Sequence, residues 1–183
     1  MGDLRPAPAA RWIDDVLSEH EAPLLRYALR LTGGEDMARD VVQEAFLRLC
    51  AEDPERVADR VRPWLLRVCR QRAVDLLRKD GRMTQLASPA ACMCPRPSPD
   101  AAVETRDTAS HVLQLLAGLP SNQQEVVRLR FEQGLSYRDI AAVTELTVTN
   151  VGYLLHMAIK TLRHQLAESN GEAADRPAMK HDA

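Results

Sequence analysis

A chain of 183 residues that is 45% hydrophobic and 27% charged has a globular composition, with room for one ordinary domain or two small ones. Nowhere do about 18 apolar residues run together without a charge, and Met1 to Ala10 carries charge and proline instead of an apolar core, so neither a membrane span nor a secretory signal is indicated and a cytoplasmic location is expected. A formal net charge of -2 excludes a uniformly basic coat for nucleic acid, and aromatic residues at 4% point to an all-α protein packed with Leu, Val and Ala.

The first amphipathic helix is predicted over Arg11 to Leu31, burying Ile13, Val16, Leu17, Leu24, Leu25, Ala28 and Leu31. Pro23 is expected to split or kink it, and Thr32-Gly33-Gly34 ends it. A second helix runs from about Glu35 to Ala51. At about 100° per residue, Asp36, Asp40, Gln43 and Glu44 share a narrow stripe, opposite Ala38, Val42, Ala45, Phe46 and Leu49. Such a stripe reads either as a plain solvated face or as a docking surface.

A third helix, Val61 to Lys79, tolerates Pro63 in its first turn and stops at Asp80-Gly81. It offers Trp64, Leu65, Val68, Cys69, Leu76 and Leu77 for burial. Between Arg60 and Arg82 lie eight basic residues (Arg60, Arg62, Arg67, Arg70, Arg72, Arg78, Lys79 and Arg82) against Asp75 and Asp80, the strongest footprint for phosphate in the chain. One small unit thus presents an acidic and a basic surface to two different partners.

Helical periodicity then fails. The stretch "ASPAACMCPRPSPD" places four prolines close together and reads as a linker. Its Cys92 and Cys94 are either incidental loop thiols or a redox or zinc pair, but no second Cys/His pair stands at metal spacing. Cys50 and Cys69 fall on apolar helix faces and are expected to act as small hydrophobes. The resulting division is an N-terminal domain over 1–82, a flexible linker over 83–106, a C-terminal domain over 107–168 and a disordered tail over 169–183.

Beyond the linker a helix from about Asp107 to Ala117 is followed by one that Ser121 caps, buried through Val126, Val127, Leu129 and Phe131 and ended by Gly134. Ser136 and Asp139 form a capping-box pattern for a short helix. A turn over Thr144 to Thr147 leads to a last helix, Val148 to about Leu166, buried through Val151, Leu155, Ala158 and Leu162. A short helix, a tight turn and a longer helix form either a DNA-reading helix-turn-helix or an ordinary helical hairpin.

Three motifs in order, "DVVQEAFLRL", "PWLLRVCRQRAVDLLRK" and "LPSNQQEVVRLRFEQGLSYRDIAAV", make the chain similar to a bacterial sigma factor of the extracytoplasmic-function group. The resemblance covers nearly the whole chain. It implies two small helical domains that recruit core RNA polymerase to a promoter, with no cofactor, no metal and no catalysis, and with an anti-sigma factor as a further partner. It also implies that Asp40, Gln43 and Glu44, with Asp36 beside them, dock on the polymerase clamp helices. The basic helix would melt and read the minus-10 element, with Gln71 and Asp75 as base readers and Arg67, Arg70, Arg78, Lys79 and Arg82 as phosphate or loop contacts. Unpaired bases can be stacked and read as duplex bases cannot. Trp64 matches a family core position.

In the last helix the family pattern "V-K-S-R-L-H-R-A-R" is here "V-G-Y-L-L-H-M-A-I", with Gly152, Leu154, Met157 and Ile159 where basic residues are common. Thr149, Asn150, Tyr153 and His156 remain as readers of minus-35 base edges or thymine methyls, along with Gly152 and Met157 on the same helix and Arg130, which matches a family DNA-contact position. Alternatively Tyr153, Leu154 and Met157 form a patch for protein. A helix-turn-helix regulator acting without polymerase is the competing function, but it needs neither the acidic stripe nor the basic helix. An enzyme has no support, since no nucleophile, metal quartet or phosphate loop is found and His111, His156 and His164 lack carboxylates at ligand spacing.

Overall fold

The computed structural model describes residues 8–81 and 112–174, with side-chain surroundings over 11–81 and 112–169. Arg82, Cys92, Cys94, His111 and the proline-rich linker lie outside the described residues. Those that are described form an all-helical architecture of two units.

In the N-terminal unit, α1 (Pro8–Thr32) runs through Pro23 as one helix, so of the split or kink expected there, the split does not occur. Proline removes the amide that would bond the Glu19 carbonyl. Packing offsets that loss: Pro23 sits with Leu24, Leu65 and Leu66 where α1 meets the helix that carries Arg62. Gly33, at φ 70°, takes the left-handed geometry that ends α1, and its amide donates to the Leu29 carbonyl at 2.9 Å. Leu17 is exposed at 39%, so Tyr27 and His20 fill the core where it was expected.

Helix α2 (Glu35–Cys50) buries Ala38, Val41, Val42, Ala45, Phe46 and Leu49. Cys50, its last residue, is exposed and not on the apolar face, because the chain turns away at Ala51. A short α3 (Pro54–Val57), which periodicity had not suggested, starts with Pro54 in its first turn and Asp53 accepting from the Glu55 amide at 3.1 Å. A 3-10 turn, Ala58–Arg60, leads into α4 (Val61–Lys79). Helices α1, α2 and α4 pack on one another, with Leu49, Leu65, Leu66 and Leu77 fully buried and Trp64 against their edge.

The C-terminal unit comprises α5 (112–117), α6 (Ser121–Phe131), α7 (Tyr137–Thr144) and α8 (Val148–Ala174). Ser121 does not cap α6. Pro120 holds that position, and its carbonyl accepts from the Gln123 and Gln124 amides at 2.9 and 3.0 Å. Phe131, expected in the core, is 66% exposed, and Leu135 is buried instead. The Gly134 turn folds Leu135 back so that its amide donates to the Leu129 carbonyl at 3.1 Å. The capping box forms as expected, Ser136 Oγ accepting from the Asp139 amide at 3.1 Å. Glu145 turns the chain at φ 61°, the Thr147 hydroxyl accepts from the Asn150 amide at 3.1 Å, and α8 extends to Ala174, past the expected end near Leu166.

The buried side chains of both units join in one cluster, α4 lying against α7. Each unit is near the lower size limit for an independent core, and sharing buried surface relieves that limit. Leu65→Ala, deleting a fully buried side chain of α4, is expected to destabilise the chain by about 2–5 kcal/mol, read as a lower urea midpoint at unchanged slope.

His20 is 4% exposed, and among the described residues its Nδ1 has no hydrogen-bond partner. Burial lowers its pKa below 6.5 against the opposing pull of Glu19, and Arg62 lowers it further. Its folded-state pKa therefore lies below the unfolded value, so its contribution to stability is complete above pH 6.5 and is lost as pH falls through the folded pKa. Thermal melts from about pH 7.5 to about pH 5.5 are expected to show a smaller fall in Tm for His20→Gln than for the parent chain.

Candidate nucleic-acid and protein interfaces

On α2, Asp36, Asp40 and Gln43 are exposed, opposite a face whose members are 0–8% exposed. Glu44 is half-buried and accepts from Arg48 Nε at 2.9 Å, and Arg39 pairs with Glu35 at 2.5 Å, so the stripe is acidic along its centre and partly neutralised at its edges. Sequence reasoning missed Leu47. It stands seven residues, two turns, beyond Asp40 and is 59% exposed, an apolar knob in the acidic stripe. A helical wheel already separates Leu47 from Phe46 and Leu49, which was the available signal.

Along α4 the spacing of Arg67, Gln71, Asp75 and Arg78 brings all four onto one stripe. Arg67, Asp75, Arg78 and Lys79 are exposed. Arg70 and Gln71 are half-buried under the C-terminal unit: Arg70 Nε donates to Glu125 at 3.0 Å, and Gln71 Nε2 to Glu145 at 3.3 Å. Burial works to lower the Arg70 pKa, but Glu125 more than compensates and the net shift is upward, so the charge is secure. Behind the stripe, burial pushes the Cys69 thiol up to about 12, which makes it inert.

In the helix-turn-helix, Thr149, Asn150, Tyr153 and His156 are exposed on one face of α8. Gly152 and Met157 are half-buried. Leu154 is 7% exposed, so the apolar patch expected from Tyr153, Leu154 and Met157 does not exist as such. Leu154 falls at helical spacing with Val151 and Ala158 and packs inward. Arg130 donates to the Leu135 carbonyl at 2.8 Å and lies 5.5 Å over the Tyr137 ring, whose edge stands 3.8 Å from where a Cβ on Gly152 would be. Arg130, Tyr137 and Gly152 therefore adjoin, and Tyr137, 43% exposed, joins a surface that the sequence reading had left without it.

Among the described residues, no group of three His, Cys, Asp or Glu side chains could hold a metal, and no helix is long and apolar enough to cross a membrane.

Residues 16–83 match the family described as Sigma-70 region 2, and residues 111–162 match Sigma-70, region 4. The ECF RNA polymerase sigma factor SigL of Mycobacterium tuberculosis is 33% identical over 153 residues, covering 82% of this chain and 86% of that protein. SigE of Mycolicibacterium smegmatis, also an ECF RNA polymerase sigma factor, is 27% identical over 94% of this chain and 67% of its own length. The fold is similar to that of the sigma factor RpoE from Bartonella quintana in a structure with the anti-sigma factor NepR, at TM-score 0.58 and 21% identity over 84% of this chain and 96% of that one. The chain belongs to the extracytoplasmic-function group of RNA polymerase sigma factors, which direct polymerase to initiate transcription.

Proposed function

We propose that α2 is the polymerase-docking surface, α4 the minus-10 surface and α8 the minus-35 surface, and that the chain works in the cytoplasm without catalysing a reaction itself. The observation that carries this reading is the exposed α2 stripe, Asp36, Asp40, Gln43 and Leu47, set opposite a buried face, in the same unit as the basic stripe of α4. An acidic surface with one apolar knob suits a basic helical partner, the charges steering and the leucine anchoring. Residues 1–82 and 107–168 are then the two working domains, with 83–106 as the tether.

Exposed Arg67, Arg78 and Lys79 would follow the phosphates of melted promoter DNA, leaving Gln71 and Asp75 between them to meet bases. Arg82, which the sequence assigns to the same surface, lies outside the described residues. On α8, Thr149, Asn150, Tyr153 and His156 would reach base edges, and Arg130 would lie beside them. We also propose an anti-sigma factor as a regulatory partner, as the Bartonella quintana structure holds one. Exposed Phe131, Tyr137 and Tyr153 suit such a partner better than the buried Leu154 does.

Reversing charge at Asp40 and Glu44 to Lys, together with Leu47→Ala, is expected to weaken binding to core polymerase by roughly tenfold or more at unchanged helix content. Fluorescence anisotropy with labelled protein measures it, and undiminished affinity at moderate salt removes α2 from the docking surface.

Gly152→Lys with Met157→Arg adds two cations to α8. A Cβ at 152 would lie 3.8 Å from the Tyr137 ring, an ordinary contact, so the site accepts a side chain. The double variant is expected to bind all duplexes more tightly, with a steeper salt dependence and a blurred preference for matched over scrambled promoters. Titrations at two salt concentrations give the result. Unchanged duplex affinity would take α8 off the DNA.

A further inference from the structure

Among the described residues, every hydrogen bond that crosses between the two units runs in the same direction. Tyr27, Arg30, Arg62, Arg70 and Gln71 of the N-terminal unit are the donors. The acceptors, all on the C-terminal unit, are Glu125 for both Tyr27 and Arg70, Glu132 for Arg30, the Gln133 carbonyl for Arg62, and Glu145 for Gln71. Three of these acceptors are carboxylates, and two of the donors they occupy, Arg70 and Gln71, belong to the surface assigned above to promoter DNA.

We propose that Glu125, Glu132 and Glu145 act as an internal stand-in for nucleic-acid phosphate, holding the C-terminal unit closed on α1 and α4 so that Arg70 and Gln71 become available only when that contact opens. The masking half of the inference rests on the reading of α4 as a nucleic-acid surface; the closure half does not. Carboxylates and phosphates compete for the same guanidinium geometry, so a strand laid along α4 and the glutamates of the C-terminal unit exclude one another at Arg70. The competition is partial by construction. Arg67, Arg78 and Lys79 stay exposed in the closed form and are free to receive the first phosphates, after which Arg70 and Gln71 can be exchanged from glutamate to nucleic acid. The reading residues of α8, Thr149, Asn150, Tyr153 and His156, are exposed in the closed form as well, so closure masks the N-terminal unit selectively.

The test uses the full chain with Cys92→Ser and Cys94→Ser, dyes at the exposed Cys50 and at His164→Cys on the exposed side of α8, and energy transfer between them. Buried Cys69, its thiol pushed up to about 12, takes no dye in the folded chain. The expected result is high transfer in the parent at about 50 mM salt, falling at about 500 mM, and low transfer at both concentrations in the Glu125→Gln, Glu132→Gln, Glu145→Gln variant, which keeps side-chain shape and loses charge. Binding of a single-stranded oligonucleotide is expected to be roughly threefold or more tighter in the triple variant than in the parent. Transfer that ignores both salt and the substitutions overturns the closure, and the salt arm decides this on the parent alone should the variant fold poorly. Opening without any gain in oligonucleotide affinity overturns the masking. Arg78→Ala with Lys79→Ala, measured in both backgrounds, separates the two readings: if this pair leaves oligonucleotide binding untouched, the assignment of α4 to nucleic acid has failed, and the transfer data still judge the closure.

Discussion

One carboxylate, that of Glu125, fixes how the two units meet. It lies on α6 and is 15% exposed, and a single oxygen accepts from the Tyr27 hydroxyl of α1 at 2.9 Å and from Arg70 Nε of α4 at 3.0 Å. A carboxylate withdrawn from water is costly unless donors replace its hydration, and here two elements of the other unit supply them. Burial and the adjacent Glu125 push the Tyr27 hydroxyl well above 10, so it stays a donor throughout the physiological range. Arg70 remains charged for the converse reason. Neither donor therefore changes its protonation state with ordinary shifts of pH.

That constraint divides the labour of α4. Leu65, Leu66, Cys69, Ala73 and Leu77 face the core, and the remaining circumference is shared between the C-terminal unit and solvent. Consecutive residues on a helix point about 100° apart, so a neighbour packed over Arg70 and Gln71 touches only one flank of the basic surface. Arg67, Asp75, Arg78 and Lys79 escape it. Arg70, held by an internal glutamate, thus shares its helix with exposed Arg67 one turn before it and with exposed Arg78 and Lys79 a little over two turns beyond it.

Much of this was legible in the sequence because it is written locally. Glycines, the capping box and the three-four spacing of apolar residues located α2, α4, α7 and the start of α8, and the acidic and basic stripes emerged from the same spacing. What periodicity could not supply was the identity of the neighbour on each face. Pro23 was expected to split or kink α1 because the loss of one hydrogen bond is a local matter, whereas the packing against the helix at that point comes from α4. Phe131 and Leu154 were misplaced in opposite directions: an apolar residue in the last turn of α6 was read as core, and one on the inner face of α8 was read as surface. The contacts between units join residues 55 to 102 positions apart and leave no sequence pattern at all.

The sparse charge of α8 fits this architecture. Its exposed face follows an i, i+4, i+7 line through Thr149, Tyr153 and His156, with Asn150 beside it, so the groups proposed above to meet base edges stand together while the cations Lys160 and Arg163 lie farther along the helix. Arg130, on α6, is held by the Leu135 carbonyl and the Tyr137 ring, which fixes where its charge sits and limits how far it can reach. Little nonspecific attraction to phosphate then remains in the C-terminal unit itself. On the reading proposed above, affinity for duplex would come from elsewhere, and a tether to a unit docked on polymerase would supply it by raising the effective concentration of α8 at its site. A reading helix weak alone and strong when tethered would discriminate between base sequences instead of gathering on any phosphate backbone, and the scarcity of arginine on α8 would serve that division.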